Sequence, residues 1–272
     1  MQIGVFAKTF PGSEPAGVLE AVRDAGFAVT QFNVACAGLP SMPDAVPGDA
    51  IGAIAAASNT SGVALVALSG TYNMAHPDRA VREDGLRRLA VVIEAASALS
   101  IPLVTLCTGT RNRDDQWTHH PDNADPSAWA DMAREMEKAL QLAERQGVDL
   151  GIEPEQANIV TSAADAMRLV GEMGSKRLRI VLDPANLFEQ ADVAQARAIV
   201  ADAIETTAGH VAMAHAKDRF ADGRFATAGQ GVVDFADFIA RLKATGFNGP
   251  LVTHGLSAEE APGVARFLKG LL

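Results

Sequence analysis

The sequence is poor in the features that would mark a secreted, membrane or nucleic-acid-binding protein. It contains only two cysteines, Cys36 and Cys107, too few for a fold held together by disulfide bonds. No apolar run approaches the roughly 18 residues that span a bilayer, and the N-terminus lacks a secretory signal pattern. Basic residues are outnumbered by acidic ones, 23 to 33, which disfavours a nucleic-acid partner. We therefore expect a cytoplasmic protein without membrane or nucleic-acid contacts.

The chain also lacks a linker rich in glycine, serine or proline, so residues 1–272 are predicted to form one domain. Hydrophobic residues make up 48% of the sequence, enough for a large core. Eight short runs of β-branched and apolar residues predict strands: Gln2–Phe6, Ala28–Val34, Val63–Leu68, Pro102–Cys107, Asp149–Glu153, Leu178–Asp183, His210–His215 and Pro250–His254. Several are apolar throughout, as strands covered on both faces are.

Helical segments separate these runs. Pro126 begins one that ends near Gly147, Ser162 begins another that ends at Gly174, and Asp234 begins a third that ends at Gly246. Alternating strands and helices favour parallel βαβ units, and eight such units predict a closed (β/α)8 barrel. The rival fold, an open doubly wound sheet, would need a dinucleotide fingerprint after the first strand, and "VFAKTFPGSE" contains none.

Four of the predicted strands end in a residue that can bind a metal ion. These residues are Glu153, Asp183, His215 and His254. In a (β/α)8 barrel the carboxyl ends of the strands form the active-site face. One carboxylate or imidazole at such a place can simply cap a turn or a helix, but four on successive strands indicate a site. Oxygen-rich ligands with imidazoles suit one divalent ion: Mn, Co, Mg or Zn.

Other polar residues follow the same strand ends. Glu155 lies on the side of Glu153 if the strand continues past Pro154, and Lys217 shares the side of His215, whereas Asp218 points the other way. Glu155 and Lys217 are therefore candidates for substrate contact or proton transfer. A salt-bridged rim explains both residues equally well.

Weaker signals lie in the loops after the third, fourth and seventh strands. His76 is a candidate substrate contact, although it could also cap the helix that follows. The polar loop "TGTRNRDDQWTHHPDN" provides Arg111 and Trp117 as further candidate substrate contacts, although Trp117 could also anchor the loop. Cys107 is predicted to be a packed or pocket-lining thiol. Gly229-Gln230-Gly231 could hold a phosphate through its backbone N–H groups or form a tight turn.

The ordered segments "LSGTYNMAHPD", "TLCTGTRNRDDQW", "GIEPEQANIV", "VLDPANL", "HAKDRFADG", "AGQGVVDF" and "GPLVTHGL" resemble the xylose isomerase-like barrel superfamily. This superfamily includes sugar phosphate isomerases and epimerases, D-tagatose 3-epimerase and endonuclease IV. The resemblance covers roughly residues 60–256. It implies a metal held by Glu153, Asp183, His215 and position 254, with Glu153 also transferring a proton.

The sequence departs from this pattern at two positions. Position 254 is His where the sugar epimerases have a second proton-transferring Glu, and Asn186 stands where a substrate-contacting His is usual. An abasic-site endonuclease is disfavoured, because Cys107 and Asn186 replace ligands that its three-zinc cluster needs, although His76 matches one ligand.

The resemblance implies a metal-dependent isomerase or epimerase that removes a proton next to a carbonyl of a ketose or polyol-derived substrate. The metal would chelate adjacent substrate oxygens. The loss of the second Glu favours, as an alternative, a dehydratase or lyase that acts on a keto-sugar or keto-inositol. A non-catalytic sugar-binding barrel is a third possibility. We expect Asn186 among the substrate contacts, and homo-oligomers are possible.

Overall fold

The computed structural model describes residues 1–272. Eight parallel strands form a closed barrel: β1 (Gln2–Phe6), β2 (Val29–Phe32), β3 (Ala64–Ser69), β4 (Leu103–Leu106), β5 (Asp149–Ile152), β6 (Leu178–Leu182), β7 (Val211–Ala216) and β10 (Pro250–Thr253). The short strands β8 (Asp218–Arg219) and β9 (Phe225–Ala226) form an antiparallel hairpin outside the barrel. Each predicted strand overlaps one barrel strand, so the predicted (β/α)8 fold is confirmed, whereas the hairpin was not predicted.

Eight helices surround the barrel: α1 (Pro15–Asp24), α2 (Gly48–Ser61), α3 (Arg79–Ala98), α4 (Pro126–Gln146), α5 (Ala163–Met173), α6 (Val193–Thr206), α7 (Phe235–Ala244) and α8 (Ala261–Lys269). The sequence signals for helix ends are confirmed at α5, where the Ser162 side chain accepts a hydrogen bond from Asp165 N and Gly174 ends the helix with φ +60°. None of the helices combines the length and the apolar character that a bilayer crossing requires. That residues 1–272 form one domain stays a prediction.

The apolar core has two parts. The larger part, a cluster of 65 buried residues, includes the contacts between barrel and helices. The smaller cluster consists of one residue from each of five strands: Ala67, Leu103, Val181, Met213 and Val252. Val181, Met213 and Val252 each lie two residues before one of the predicted metal ligands. Because side chains on a strand alternate between faces, the ligands lie on the same face of the sheet as this cluster, one layer nearer the carboxyl ends.

Gly151 belongs to the same layer of the barrel interior as this smaller cluster. It lies two residues before Glu153, and a Cβ atom at this position would come 2.8 Å from Val181 Cγ2 and 3.1 Å from Leu103 Cδ1. The missing side chain therefore leaves room for these two neighbours, whose packing supports the strand end that carries Glu153.

Gly85 in α3 leaves room for the ring of Tyr72, which lies in the loop that follows β3. A Cβ atom at Gly85 would lie 2.1 Å from Cδ2 of Tyr72, so the helix must lack a side chain where the Tyr72 ring packs. We expect Gly85→Ala to lower the free energy of unfolding by about 1–3 kcal/mol through overpacking. Chemical denaturation would measure the change.

Gly171 provides the matched control for this prediction. It also lies inside a helix, α5, but a Cβ atom added there would meet no neighbouring atom within 4 Å. Gly171→Ala should therefore raise the free energy of unfolding by roughly 0.5–1 kcal/mol, since alanine loses less backbone entropy than glycine. Equal shifts in both variants would contradict the packing role of Gly85.

Candidate metal centre and catalytic cavity

The four predicted metal ligands come together at the carboxyl end of the barrel. Glu153, Asp183 and His254 directly follow β5, β6 and β10, and His215 lies near the end of β7. One ligand atom from each residue lies within 4.8 Å of the others. Asp183 and His215 are buried, and Glu153 is 8% exposed. This cluster of two carboxylates and two imidazoles could hold a metal ion.

The hydrogen bonds of His215 suit a metal ligand. Its Nε2–H donates to Gln31 Oε1 at 2.9 Å, and the amide of Gln31 donates in turn to Thr105 Oγ1 at 3.1 Å. Nδ1 is buried without a hydrogen-bond partner and lies 3.4 Å from Glu153 Oε1 and 3.6 Å from Asp183 Oδ2. A metal-binding histidine commonly has this arrangement, in which an acceptor holds one ring nitrogen and the other faces the ion.

Asp183 has two functions in the structure. Its Oδ1 accepts a hydrogen bond from Ala185 N at 2.9 Å and caps a short 3-10 helix, Pro184–Asn186. Its Oδ2 accepts a hydrogen bond from His254 Nε2 at 2.8 Å. Asp183 therefore caps the short helix, as a strand-end Asp before a proline can, and it also belongs to the cluster of predicted metal ligands.

The side chains of the cluster shift one another's pKa values. Burial alone would lower the pKa of His215, but the charge of Glu153 and the proximity of Asp183 raise it to about 9. Burial would raise the pKa of Asp183, yet the neighbouring His215 and His254 hold it well below the usual range. Burial and the charge on His215 lower the pKa of His254. The carboxylates thus favour positive charge at the place where Nδ1 of His215 points, as a cation site requires.

A chain of hydrogen bonds connects Lys217 to the cluster through Asn186. Lys217 Nζ donates to Asn186 Oδ1 at 3.1 Å, and Asn186 Nδ2 donates to Glu153 Oε1 at 2.7 Å. All three side chains are largely buried. Because both ends of the Asn186 amide are engaged, this chain fixes the orientation of the Glu153 carboxylate.

The cluster lies in a cavity of about 330 Å³, a size that suits a small ligand. Glu155 and Cys107 line it together with Glu153, Asn186 and Lys217. Strand β5 ends at Ile152, so Glu155 reaches the cavity from a loop and not from a continued strand. Burial and the nearby charge of Glu153 raise the pKa of Glu155 to about 7, and burial raises the pKa of the Cys107 thiol well above its ordinary value.

Two aromatic side chains complete the lining. Trp117 comes from the loop after β4 and Phe225 from β9, and they are 50% and 51% exposed. Lys217 Nζ lies 3.5 Å from the centroid of the Phe225 ring, a cation–π contact. Trp117 and Phe225 therefore both lie at the cavity, and the role of Trp117 in substrate contact stays a prediction.

Two predicted substrate contacts are absent from the cavity lining. His76 accepts a hydrogen bond from Asp78 N at its Nδ1 and donates from Nε2 to the carbonyl of Arg113 at 3.1 Å. Arg111 donates to the carbonyl of Ala75 and pairs with Asp131 at 2.8 Å. Both side chains connect the loops around the barrel.

The backbone N–H groups of the glycine turn after β7 donate to a side chain of the protein itself. The buried carboxylate of Asp218 accepts hydrogen bonds from the backbone N–H groups of Arg219, Gly229, Gly231 and Val233, at 2.8–3.0 Å. Asp218 points away from the cavity, as predicted. The N–H groups of Gly229 and Gly231 therefore serve the turn and not a bound phosphate.

Sequence reasoning missed several cavity residues. Gln31 and Thr105 end strands of the first half of the barrel, and Phe225 belongs to the unpredicted hairpin. A signal for Gln31 exists, since it is a polar residue in the apolar run "AVTQFNV". Its contact with His215 spans 184 positions of sequence, which no local pattern reveals.

A family model described as "Xylose isomerase-like TIM barrel" matches residues 19–270. The chain belongs to this family. The resemblance seen in the sequence is thereby confirmed, and the match extends over nearly the whole barrel.

Solved structures share the fold of this xylose isomerase-like protein at low sequence identity. A 3-keto-D-glucoside 4-epimerase from E. coli has a TM-score of 0.78 and 18% identity, with 99% of each chain covered. An L-ribulose 3-epimerase has a TM-score of 0.76 and 20% identity, with 99% of this chain and 92% of the other covered. A D-psicose 3-epimerase from Clostridium cellulolyticum H10 has a TM-score of 0.75 and 16% identity, with 100% and 99% covered. No curated protein sequence matches the chain.

Proposed function

We propose that the chain is a divalent-metal-dependent isomerase or epimerase that removes a proton next to the carbonyl of a ketose or polyol-derived substrate. The observation that supports this most is the convergence of Glu153, Asp183, His215 and His254 within 4.8 Å at the end of one cavity. The structurally similar epimerases act on sugars, which agrees with the proposal.

The residues fit a divalent ion by their own chemistry. The unpartnered Nδ1 of His215, the two carboxylates and His254 form a donor set of the kind that binds Mn, Co, Mg or Zn. When bound, the ion would supply a Lewis acid that polarises a carbonyl and stabilises developing negative charge. The donor set suits each of these four metals.

Glu153 is the proposed base. Its Oε1 is held by Asn186 Nδ2 and lies near His215, so Oε2 is the oxygen left to take the proton from carbon. A base must be oriented within hydrogen-bond reach of the proton that it abstracts. The Lys217–Asn186 hydrogen bond keeps that orientation, which gives Asn186 a positioning role in addition to substrate contact.

Glu155 and Lys217 are proposed to act on the opposite side of the substrate. Both line the cavity, and the pKa of Glu155 near 7 lets its carboxyl give or take a proton at neutral pH. Lys217 supplies a positive charge beside Glu155 and a donor for a substrate oxygen. Return of the proton from this side gives the epimer, and return to the neighbouring carbon gives the isomer.

The second candidate function is a dehydratase or lyase that uses the same proton abstraction. His254 supports it, because the imidazole at this position donates to Asp183 Oδ2 at 2.8 Å and provides no second carboxylate beside the cluster. Expulsion of a β-hydroxyl group needs a general acid, and His254 or Glu155 could protonate the departing oxygen.

One experiment separates these functions. The metal-loaded protein is incubated in D2O with a panel of ketoses, keto-inositols and keto-glycosides, and the products are followed by NMR and ultraviolet absorbance. Deuterium at the carbon next to the carbonyl, together with an epimeric or isomeric product, would support the isomerase. An unsaturated ketone would support the lyase. Bound metal and ligand without any exchange would leave only a binding protein.

The His254→Glu variant tests the role of position 254. A carboxylate there would add a second proton-transferring group, so we expect the ratio of epimerised to eliminated product to rise by about tenfold or more. NMR product analysis at equal metal loading measures this ratio. His254→Gln, which restores no titrating group, is the control, and a similar ratio in both variants would contradict the idea.

A further inference from the structure

The cavity changes in character between its floor and its mouth. At the floor lie charged and polar side chains that are nearly buried, such as Glu153 and Lys217 at 8% and 9% exposure. At the mouth lie the indole of Trp117 and the ring of Phe225, each about half exposed. Among the phenylalanine, tyrosine and tryptophan side chains, one other, Phe267, is also exposed, at 38%, and it lies outside the cavity.

The backbone segments that carry the two rings are held by hydrogen bonds. The carboxylate of Asp115 accepts hydrogen bonds from Trp117 N at 2.9 Å and from Thr118 Oγ1 at 2.8 Å. The hairpin that carries Phe225 is held by Asp218 and by Arg219, whose guanidinium lies 4.2 Å from the Phe225 centroid and donates to three backbone carbonyls. Their exposure is therefore built into ordered loops.

The other tryptophan, Trp129, has a structural role and serves as a comparison. Trp129 Nε1 donates to Glu172 at 2.7 Å, and the guanidinium of Arg168 lies 3.9 Å from its ring centroid. The indole of Trp117 has neither kind of contact, although it is placed at the cavity. A large apolar side chain that serves no packing role at a cavity mouth indicates a ligand surface.

We infer that Trp117 forms a second subsite, in which the indole stacks a ring attached to the reacting sugar. The ring of Phe225, which already contacts Lys217 and Arg219, borders this subsite. The substrate class is then a keto-glycoside with a cyclic aglycone, and not a free monosaccharide. This inference deepens the proposed function and rests on it for the reaction at the cavity floor. The apolar face of a sugar ring or of an aryl ring has the chemistry that such aromatic side chains bind.

Binding of unreactive glycosides tests the subsite independently of catalysis. Calorimetric titrations of the metal-loaded protein would compare methyl β-D-glucopyranoside, phenyl β-D-glucopyranoside, cellobiose and phenol. We expect a glycoside with a cyclic aglycone to bind roughly five- to tenfold tighter than the methyl glycoside, as one added aromatic contact allows. Preference for phenyl glucoside identifies an aryl ring, and preference for cellobiose identifies a sugar ring.

The variants Trp117→Leu and Phe225→Leu keep apolar side chains but remove the rings. Trp117→Leu should bring the ratio of the two affinities close to one, and Phe225→Leu should lower it less. Phe267→Leu, the control at an aromatic residue outside the cavity, should keep the wild-type ratio. Equal affinity of the wild-type protein for methyl and ring-bearing glycosides would overturn the subsite. So would a preference that survives in both leucine variants, or the absence of binding by every glycoside up to its solubility limit.

The deuterium-exchange assay, run in parallel, separates this inference from the proposed function. Exchange without a ring preference overturns the subsite and leaves the function standing. A ring preference without exchange for any keto-glycoside supports the subsite and contradicts the function.

Discussion

Asp183→Asn is expected to weaken binding of divalent metal by more than about 100-fold, because the loss of an indirect contact to a ligand already costs 10–100-fold. Asparagine keeps the shape of the side chain and an oxygen that can accept the hydrogen bond from Ala185 N. It removes the negative charge that lies 3.6 Å from His215 Nδ1. Elemental analysis of the purified variant, and titration with Mn and Zn, would measure the loss.

Asp192→Asn provides the control. Asp192 also accepts a backbone hydrogen bond at a helix start, from Gln195 N at 2.8 Å, but it is exposed and outside the cluster. Its replacement should leave metal binding unchanged. Wild-type metal content in Asp183→Asn would refute the proposed site, and a parallel loss in His215→Ala would strengthen it.

Glu153→Gln is expected to slow deuterium exchange at carbon by about 10²–10⁴-fold, the range that a general base contributes. The amide keeps an oxygen toward the cluster but cannot accept the proton. Because Glu153 is also a proposed ligand, metal content must be measured in the same sample. Lost exchange with retained metal assigns Glu153 as the base, and lost metal in the variant assigns it as a ligand.

Glu189→Gln is the matched control for this experiment. Glu189 lies in the loop after β6, three residues beyond Asn186, but its side chain is exposed and outside the cavity lining. Exchange should proceed at the wild-type rate in this variant. Near-wild-type exchange in Glu153→Gln would remove Glu153 as the base and leave Glu155 as the remaining candidate.

The sequence predicted the features that depend on local pattern. The eight strands could be placed because each is a short apolar run between helices, and Glu153, Asp183, His215 and His254 could be placed because each closes such a run. Parallel strands in a closed barrel bring their carboxyl ends to one edge, so fold and cluster follow from the same pattern.

The remaining features of the site depend on contacts that the pattern does not encode. Asn186 could be recognised as a departure from the family, but its two hydrogen bonds, to Glu153 and Lys217, exist only after three strand ends meet. His76 and Arg111 have the right chemistry for substrate contact, yet nearby carbonyl groups engage both. Loop residues are difficult to assign because either a ligand or a neighbouring loop can satisfy the same polar atom.

Asp218 has a consequence for ligands that could bind at the turn after β7. Its carboxylate already accepts hydrogen bonds from four N–H groups of the loop after β7, so these donors are engaged before any ligand arrives. A phosphate ester placed at this turn would meet the negative charge of Asp218 and N–H groups that this carboxylate already engages, so we expect the protein to discriminate against a phosphate group there. Competition between a bound sugar and its phosphate ester would measure that discrimination directly. An internal anion thus occupies the turn at which many barrels bind a phosphate group.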